Sequence, residues 1–379
     1  MAIEVEHLIA LAIERTGLDN LGCTSFQEPL ERLVDSLNTE ANLNAFGTAM
    51  ASNIITRSLI NRLKIEQWWN GHPELDNEVV AKPIIIIGMS RSGTTALSHM
   101  LAADRSLRSL LAWEAQDSVP PPSAANYWSD RRYSAAVDVD RNTPFSSTRA
   151  LHYDPPEAPV ECSMIFNSEF QSTGYTTLFH IPTYMRWMMD ADTRYLYDYH
   201  ARVLKLLQSD APGRWSLKTP QYALDPDQLR VHYPDATFVI THRNPAECIA
   251  STSSLMSTFN DMVSDVPRPK EIGVLNVEFF DRKAQRLLAF ANRYAGDSIV
   301  HIPYAQLISD PMAAVQKVLR AAGHHLNREA EAAIRAQINE RPQHSQGMHK
   351  YHMSDFGLDK RELEERYKDY ISKFDIKIK

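Results

Sequence analysis

Ser90-Arg-Ser-Gly-Thr-Thr95 follows Gly88, after the apolar run Ile84 to Ile87 and ahead of the helix-compatible stretch Ala96 to Ala102. Glycines and hydroxyl residues between a buried strand and a helix leave backbone N–H groups pointing outward. The helix dipole adds positive potential there, and together they cradle phosphate. The spacing is nearly that of the nucleoside-triphosphate loop, in which lysine and then serine or threonine follow the second glycine. Here Thr94 takes the place of that lysine, and Arg91 is the only basic residue in the loop. A γ-phosphate therefore lacks its usual cation, whereas one bridging oxygen near Arg91 can still be charge-stabilised.

A second anion site lies further along. Thr237-Phe-Val-Ile-Thr-His-Arg243 reads as a buried strand, and Asn244-Pro-Ala-Glu247 as a helix start. Asparagine is its N-cap, proline opens the first turn and the glutamate reaches back. Arg243 is thus fixed at a strand end beside a helix N-terminus, with Ser251 eight residues on. Arginine can meet a phosphate with two parallel hydrogen bonds, and a serine hydroxyl adds a donor. No strand ends in the aspartate with which phosphate-loop hydrolases hold Mg²⁺; Thr241-His-Arg243 stands there, so no obligatory metal is expected. Glu114 is expected at the end of a strand over Leu107 to Trp113, aimed at the crevice beyond the sheet. Lys218 ends a short strand beginning at Trp215, before a turn at Thr219-Pro220.

On Ser90-Arg-Ser-Gly-Thr-Thr95 the sequence resembles the sulfotransferases, which use 3′-phosphoadenosine-5′-phosphosulfate (PAPS) as donor. Its N-terminal pattern also resembles that of a bacterial branch, and its motifs are similar to those of the tyrosylprotein enzymes. The resemblance implies that Arg91, Ser92, Gly93, Thr94 and Thr95 hold the 5′-phosphosulfate, and that Arg243 with Ser251 holds the 3′-phosphate. That second site separates PAPS from ATP, which has no 3′-phosphate. Sulfuryl transfer to an alcohol needs a group that takes the hydroxyl proton; relatives place a glutamate base at a similar distance after the loop, which gives Glu114 that role. Glu161 in Pro-Val-Glu-Cys ranks below it. By the same resemblance Lys218, with Arg91, steadies charge in the transition state. Many relatives carry histidine shortly after this lysine; Tyr222 stands near that place here. Tyr304 and Asp310-Pro311 also match the family. A C-terminal loop that closes over the donor in relatives points to Gly347, His349 and Lys350.

The elements that must position these residues make an α/β fold with a phosphate loop, three layers and a central parallel sheet. Residues 1 to 80 read as a helical cap, with apolar residues such as Leu43, Phe46, Met50 and Ile54 three or four apart. Residues 81–119 and 214–323 form the core, 120–213 a helical insertion, and 324–379 a C-terminal loop and helix, all in one domain. Residues 115 to 213 hold 14 of the 34 aromatic residues, the natural place for an acceptor pocket, with Trp187, Met188 and Met189 as a lipophilic lining. His152, His180 and His200 show no metal spacing. Asp359 to Glu362 is a capping box for a closing helix whose apolar face is Leu363, Tyr367, Tyr370 and Phe374.

Composition narrows the rest. The 379 residues carry a net charge of −7, without the basic excess of a nucleic-acid binder. Three scattered cysteines, Cys23, Cys162 and Cys248, form neither a disulfide framework nor a metal cluster. There is no basic leader and no membrane-length apolar run, so a cytoplasmic protein is expected. The predicted reaction is sulfuryl transfer from PAPS to the hydroxyl of a small, lipophilic acceptor, releasing adenosine 3′,5′-bisphosphate. A phosphate-loop kinase or NTPase and a catalytically silent nucleotide-binding protein are the two rival readings.

Overall fold

The computed structural model describes residues 2–142, 155–296, 299–340 and 352–378. Among them five strands form one parallel sheet: β1 Ile84–Gly88, β2 Leu107–Ser109, β3 Arg214–Lys218, β4 Thr237–His242 and β5 Ile299–Pro303. Their spatial order is β2-β3-β1-β4-β5. β1 shows why the isoleucine run forms its centre. Ile85 and Ile87 join one apolar cluster and Ile84 and Ile86 the other, one on each side of the sheet. All four are fully buried, and each contributes about 1.5–3 kcal/mol by leaving water.

The strand order reverses at β1, which lies between β3 and β4 with Ile86 opposite Lys218 and Gly88 opposite Thr241. Ligands in open parallel sheets bind beyond the carboxyl ends at such a switch point. The phosphate loop, Lys218 and Arg243 all leave the sheet there.

The N-terminal segment is helical, as expected: α1 Val5–Thr16, α2 Gln27–Thr39 and α3 Ala45–Gly71. It shares the larger apolar cluster with the sheet and the insertion. Arg62 on α3 is fully buried and pairs with Glu169 of the insertion. It also donates to the Leu21 and Cys23 carbonyls at 2.7 and 3.1 Å.

α4, Thr94–Ala102, starts in the loop as predicted, but the second strand is shorter than expected. It ends at Ser109, and Trp113 and Glu114 belong instead to the short helix α5, Ala112–Gln116. Met188 and Met189 are buried in the core rather than lining a pocket, and Trp187 packs partly buried against it. The closing helix is two pieces, Lys360–Arg366 and Lys368–Lys373, yet its predicted apolar face is buried throughout. The expected capping contact is made: Asp359 accepts from the Glu362 N–H at 3.0 Å. No helix among the described residues is long and apolar enough to cross a membrane. His152, Gly347, His349 and Lys350 lie outside the described residues.

Candidate active site

The phosphate loop is shaped by two left-handed residues. Gly93 has φ +98°, and a Cβ there would sit 2.7 Å from Leu307 and 3.0 Å from Tyr304. Arg91 also has positive φ, 66°, an uncommon conformation for a side-chain-bearing residue. Gly88 is required by crowding rather than torsion, since a Cβ there would meet the Thr241 hydroxyl at 2.4 Å. Ser92 closes this knot. Its hydroxyl donates to the Met89 carbonyl at 2.6 Å and lies 2.7 Å from the Thr241 hydroxyl. Its side chain is therefore buried against β4 and locks the loop instead of facing a ligand. The first amides of α4 have no partner within their own helix, and Thr94 and Thr95 line the cavity.

Arg243 leaves the end of β4 as predicted. Its guanidinium donates to the Arg91 carbonyl at 3.1 Å and lies over the Tyr304 ring, 4.4 Å from its centre. Asn244 caps the following helix, Pro245–Val263, by accepting from the Ala246 N–H at 3.1 Å. Glu247 does not reach back to the cap, because it pairs with Arg243 at 2.9 Å. Ser251, two turns into that helix, accepts from Arg91 Nε at 3.1 Å. The two segments expected to bind anions are thus joined by direct hydrogen bonds.

Glu161, ranked below Glu114 from the sequence, lies on the wall of the cavity beside the phosphate loop. The backbone around it is pinned across the insertion: the Val160 N–H donates to the Leu110 carbonyl at 2.8 Å, and the Cys162 N–H to the Lys218 carbonyl at 2.9 Å. That brings the Glu161 carboxylate to 3.2 Å from Lys218 Nζ, which also donates to Thr95 Oγ1 at 3.2 Å. The Lys218 side chain is fully buried while that of Glu161 is 29% exposed and lines the cavity beside the loop.

Glu114 is not in this crevice. It is fully buried on α5, where it accepts from Arg108 at 2.8 Å and from the Leu111 N–H at 3.0 Å. Burial raises its pKa, with Arg108 and the Leu111 amide opposing that shift. Its expected position at a strand end fails because Glu114 caps its own helix. Tyr222, where relatives carry histidine, is also fully buried; its hydroxyl lies 3.1 Å from His200 Nε2, and the Tyr233 hydroxyl 2.7 Å from Nδ1. Burial drives His200 down to about 3, so the ring is neutral. His180 lies 3.3 Å from Glu271.

Arg91, Gly93, Thr94, Thr95, Arg243 and Glu161 line one cavity of about 610 Å³, within the range of small-molecule sites. Met100, Leu255, Leu307 and Ile338 supply its apolar wall. A second cavity of about 290 Å³, lined by Ile54, Met164, Tyr175 and Leu178 among others, lies beside the helix that follows Glu161. No group of three or more metal-type ligands occurs among the described residues.

A family model described as "Sulfotransferase family" matches residues 83–328. The structure is similar to that of sulfotransferase STF9 from Mycobacterium avium, with TM-score 0.92 and 29% identity over 99% of this chain and 97% of that one. It is also similar to sulfotransferase STF1 from Mycobacterium tuberculosis H37Rv, with TM-score 0.83 and 28% identity over 97% and 98% of the two chains. No curated protein sequence matches significantly.

Proposed function

Because the chain belongs to the sulfotransferase family, we propose that it transfers the sulfuryl group of PAPS to the hydroxyl of a small, lipophilic acceptor and releases adenosine 3′,5′-bisphosphate. The observation that carries this reading is Lys218 Nζ, placed 3.2 Å from both Thr95 Oγ1 and Glu161 Oε1. One ammonium therefore stands between the phosphate loop and a carboxylate on the cavity wall, which supports its steadying a sulfuryl group in transfer.

In this reading the amides of Thr94 and Thr95 and the Arg91 guanidinium hold the 5′-phosphosulfate. Gly93 allows the close approach, and Ser92 keeps the loop rigid. Arg243 and Ser251 take the 3′-phosphate. Glu161, in place of Glu114, accepts the acceptor's proton as its oxygen attacks sulfur, and Lys218 with Arg91 offsets charge on the departing phosphate oxygen. Every step is assigned to a side chain or the acceptor, so no metal is invoked. The apolar wall of the main cavity, with Met100, Leu255, Leu307 and Ile338, supports a lipophilic acceptor. The free cysteines Cys23, Cys162 and Cys248 fit a cytoplasmic protein.

The reading is tested by incubating the protein with sulfur-labelled PAPS and a panel of phenols, sterols and fatty alcohols. Label in an organic product from wild type, and none from Glu161→Gln, is expected; equal transfer by both proteins would remove Glu161 from the mechanism.

A further inference from the structure

Glu247 stands in the first turn of the helix Pro245–Val263, just after the Asn244 cap. A glutamate at that position ordinarily turns back to the N-cap amide and closes a capping box. Here it turns to the strand end instead. Its Oε2 lies 3.0 Å from Arg243 Nε and 2.9 Å from Arg243 Nη2, so one carboxylate oxygen spans the side edge of the guanidinium. The pair is partly exposed, with the Arg243 side chain at 24% and that of Glu247 at 38%. An isolated ion pair in such a place adds little to stability, so stability alone gives the carboxylate little reason to leave the cap.

The rest of the Arg243 fork is held as well. Nη1 donates to the Arg91 carbonyl at 3.1 Å, and one face lies over the Tyr304 ring, 4.4 Å from its centre. A carboxylate on one edge, a ring on one face and a carbonyl at Nη1 leave this long side chain few of the rotamers it would otherwise sample. Of the five N–H donors of a guanidinium, these contacts take three, and two remain for a ligand. Arg243 lines the main cavity and Glu247 does not, so the carboxylate stands behind the arginine rather than in the path of what it binds.

We propose that Glu247 is a positioning residue that acts through Arg243: it fixes the guanidinium in the pose that meets the 3′-phosphate, and so sets the preference for a 3′-phosphorylated nucleotide. Ordering a long side chain at the moment of binding costs affinity, and a partner that orders it beforehand removes that cost. Ser251 is prepared in another way: its hydroxyl accepts from Arg91 Nε and keeps its own proton to donate. This inference rests on Arg243 taking the 3′-phosphate; neither the acceptor nor the base enters it.

The test is calorimetric titration of adenosine 3′,5′-bisphosphate and adenosine 5′-monophosphate into wild type, Glu247→Ala, Glu247→Gln and Arg243→Ala, with the thermal midpoint of each protein. Glu247→Ala should lose roughly two- to tenfold of the preference for the bisphosphate, the cost of ordering one long side chain, and bind the monophosphate as wild type does. Glu247→Gln keeps an oxygen that can accept from Arg243 Nε and should keep most of the preference. In an Arg243→Ala background, Glu247→Ala should change nothing further. Bisphosphate bound as tightly or more tightly by Glu247→Ala would overturn the proposal and make the carboxylate a bystander or a competitor for Arg243. An equal loss for both nucleotides, with a lowered thermal midpoint, would also overturn it, as the mark of a helix-end contact alone. Arg243→Ala with its preference intact would refute the 3′-phosphate assignment itself, whereas loss in Arg243→Ala without loss in Glu247→Ala would refute Glu247 alone.

Discussion

Arg91 Nε donates to Ser251 Oγ at 3.1 Å across 160 residues of sequence. This bond ties the phosphate loop to the helix that begins beside Arg243, and Arg243 returns the tie by donating to the Arg91 carbonyl at 3.1 Å. Each cradle is built locally, one by a glycine turn and one by an asparagine cap. Their relative placement comes from the parallel pairing of β1 with β4, in which Gly88 faces Thr241. In the proposed reading, a ligand with phosphate groups at two ends meets both at once.

Glu161→Gln and Glu114→Gln should fail in different ways. Removing a general base costs about 10²–10⁴-fold in rate, so Glu161→Gln should lose kcat and keep donor affinity. Glu114→Gln leaves the buried Arg108 without its counter-charge, a loss of about 3–5 kcal/mol. It should appear as a lowered thermal midpoint with little change in rate per folded molecule. Rate loss in a stable Glu114→Gln protein would return the base role to that residue.

Lys218→Ala removes the ammonium between Thr95 and Glu161. A lost transition-state donor costs about 10²–10³ in kcat, with KM for the donor changing less. Steady-state kinetics with varied PAPS would read the split; a rise in KM with kcat intact would make Lys218 a ground-state binding residue.

Gly93→Ala combines a φ of +98° with a Cβ 2.7 Å from the Leu307 side chain. The torsion alone costs about 1–2 kcal/mol, and the loop must shift to relieve the contact. Affinity for adenosine 3′,5′-bisphosphate should fall at least tenfold, as calorimetric titration would register. Undiminished affinity would mean that the loop amides do not hold the ligand.

His200 gives a pH dependence of stability. Its folded value is about 3, below an unfolded value of about 6.5. The unfolded chain therefore binds the extra proton, and stability present above about pH 6.5 is lost as pH falls towards 3. The slope should approach about 1.4 kcal/mol per pH unit from this site. His200→Gln should flatten that part of a chemical-denaturation series, and an identical slope would place the ring in contact with water.

Much of this architecture is readable in the sequence because it rests on local signals. The isoleucine run, Gly88 and Gly93, and the Asn244-Pro245 cap each fix a backbone shape within a few residues. The positions of Glu114 and Glu161 are hard to read for the opposite reason. Leu110, Leu111 and Trp113 are as apolar in a short helix as in a strand, so the run does not tell where β2 stops. Glu161 stands in an irregular segment, and only the bonds of its neighbours Val160 and Cys162 to Leu110 and Lys218, far off in sequence, put it beside the loop.

The central claim is that both anion cradles hold one donor, and it is tested most directly by calorimetric titration with adenosine 3′,5′-bisphosphate and adenosine 5′-monophosphate. One hydrogen bond to a charged group is worth about 1.5–3 kcal/mol, so wild type should bind the bisphosphate more tightly by a factor of at least about ten. Arg243→Ala should erase that preference while still binding the monophosphate. Equal affinity of wild type for the two nucleotides would contradict the account.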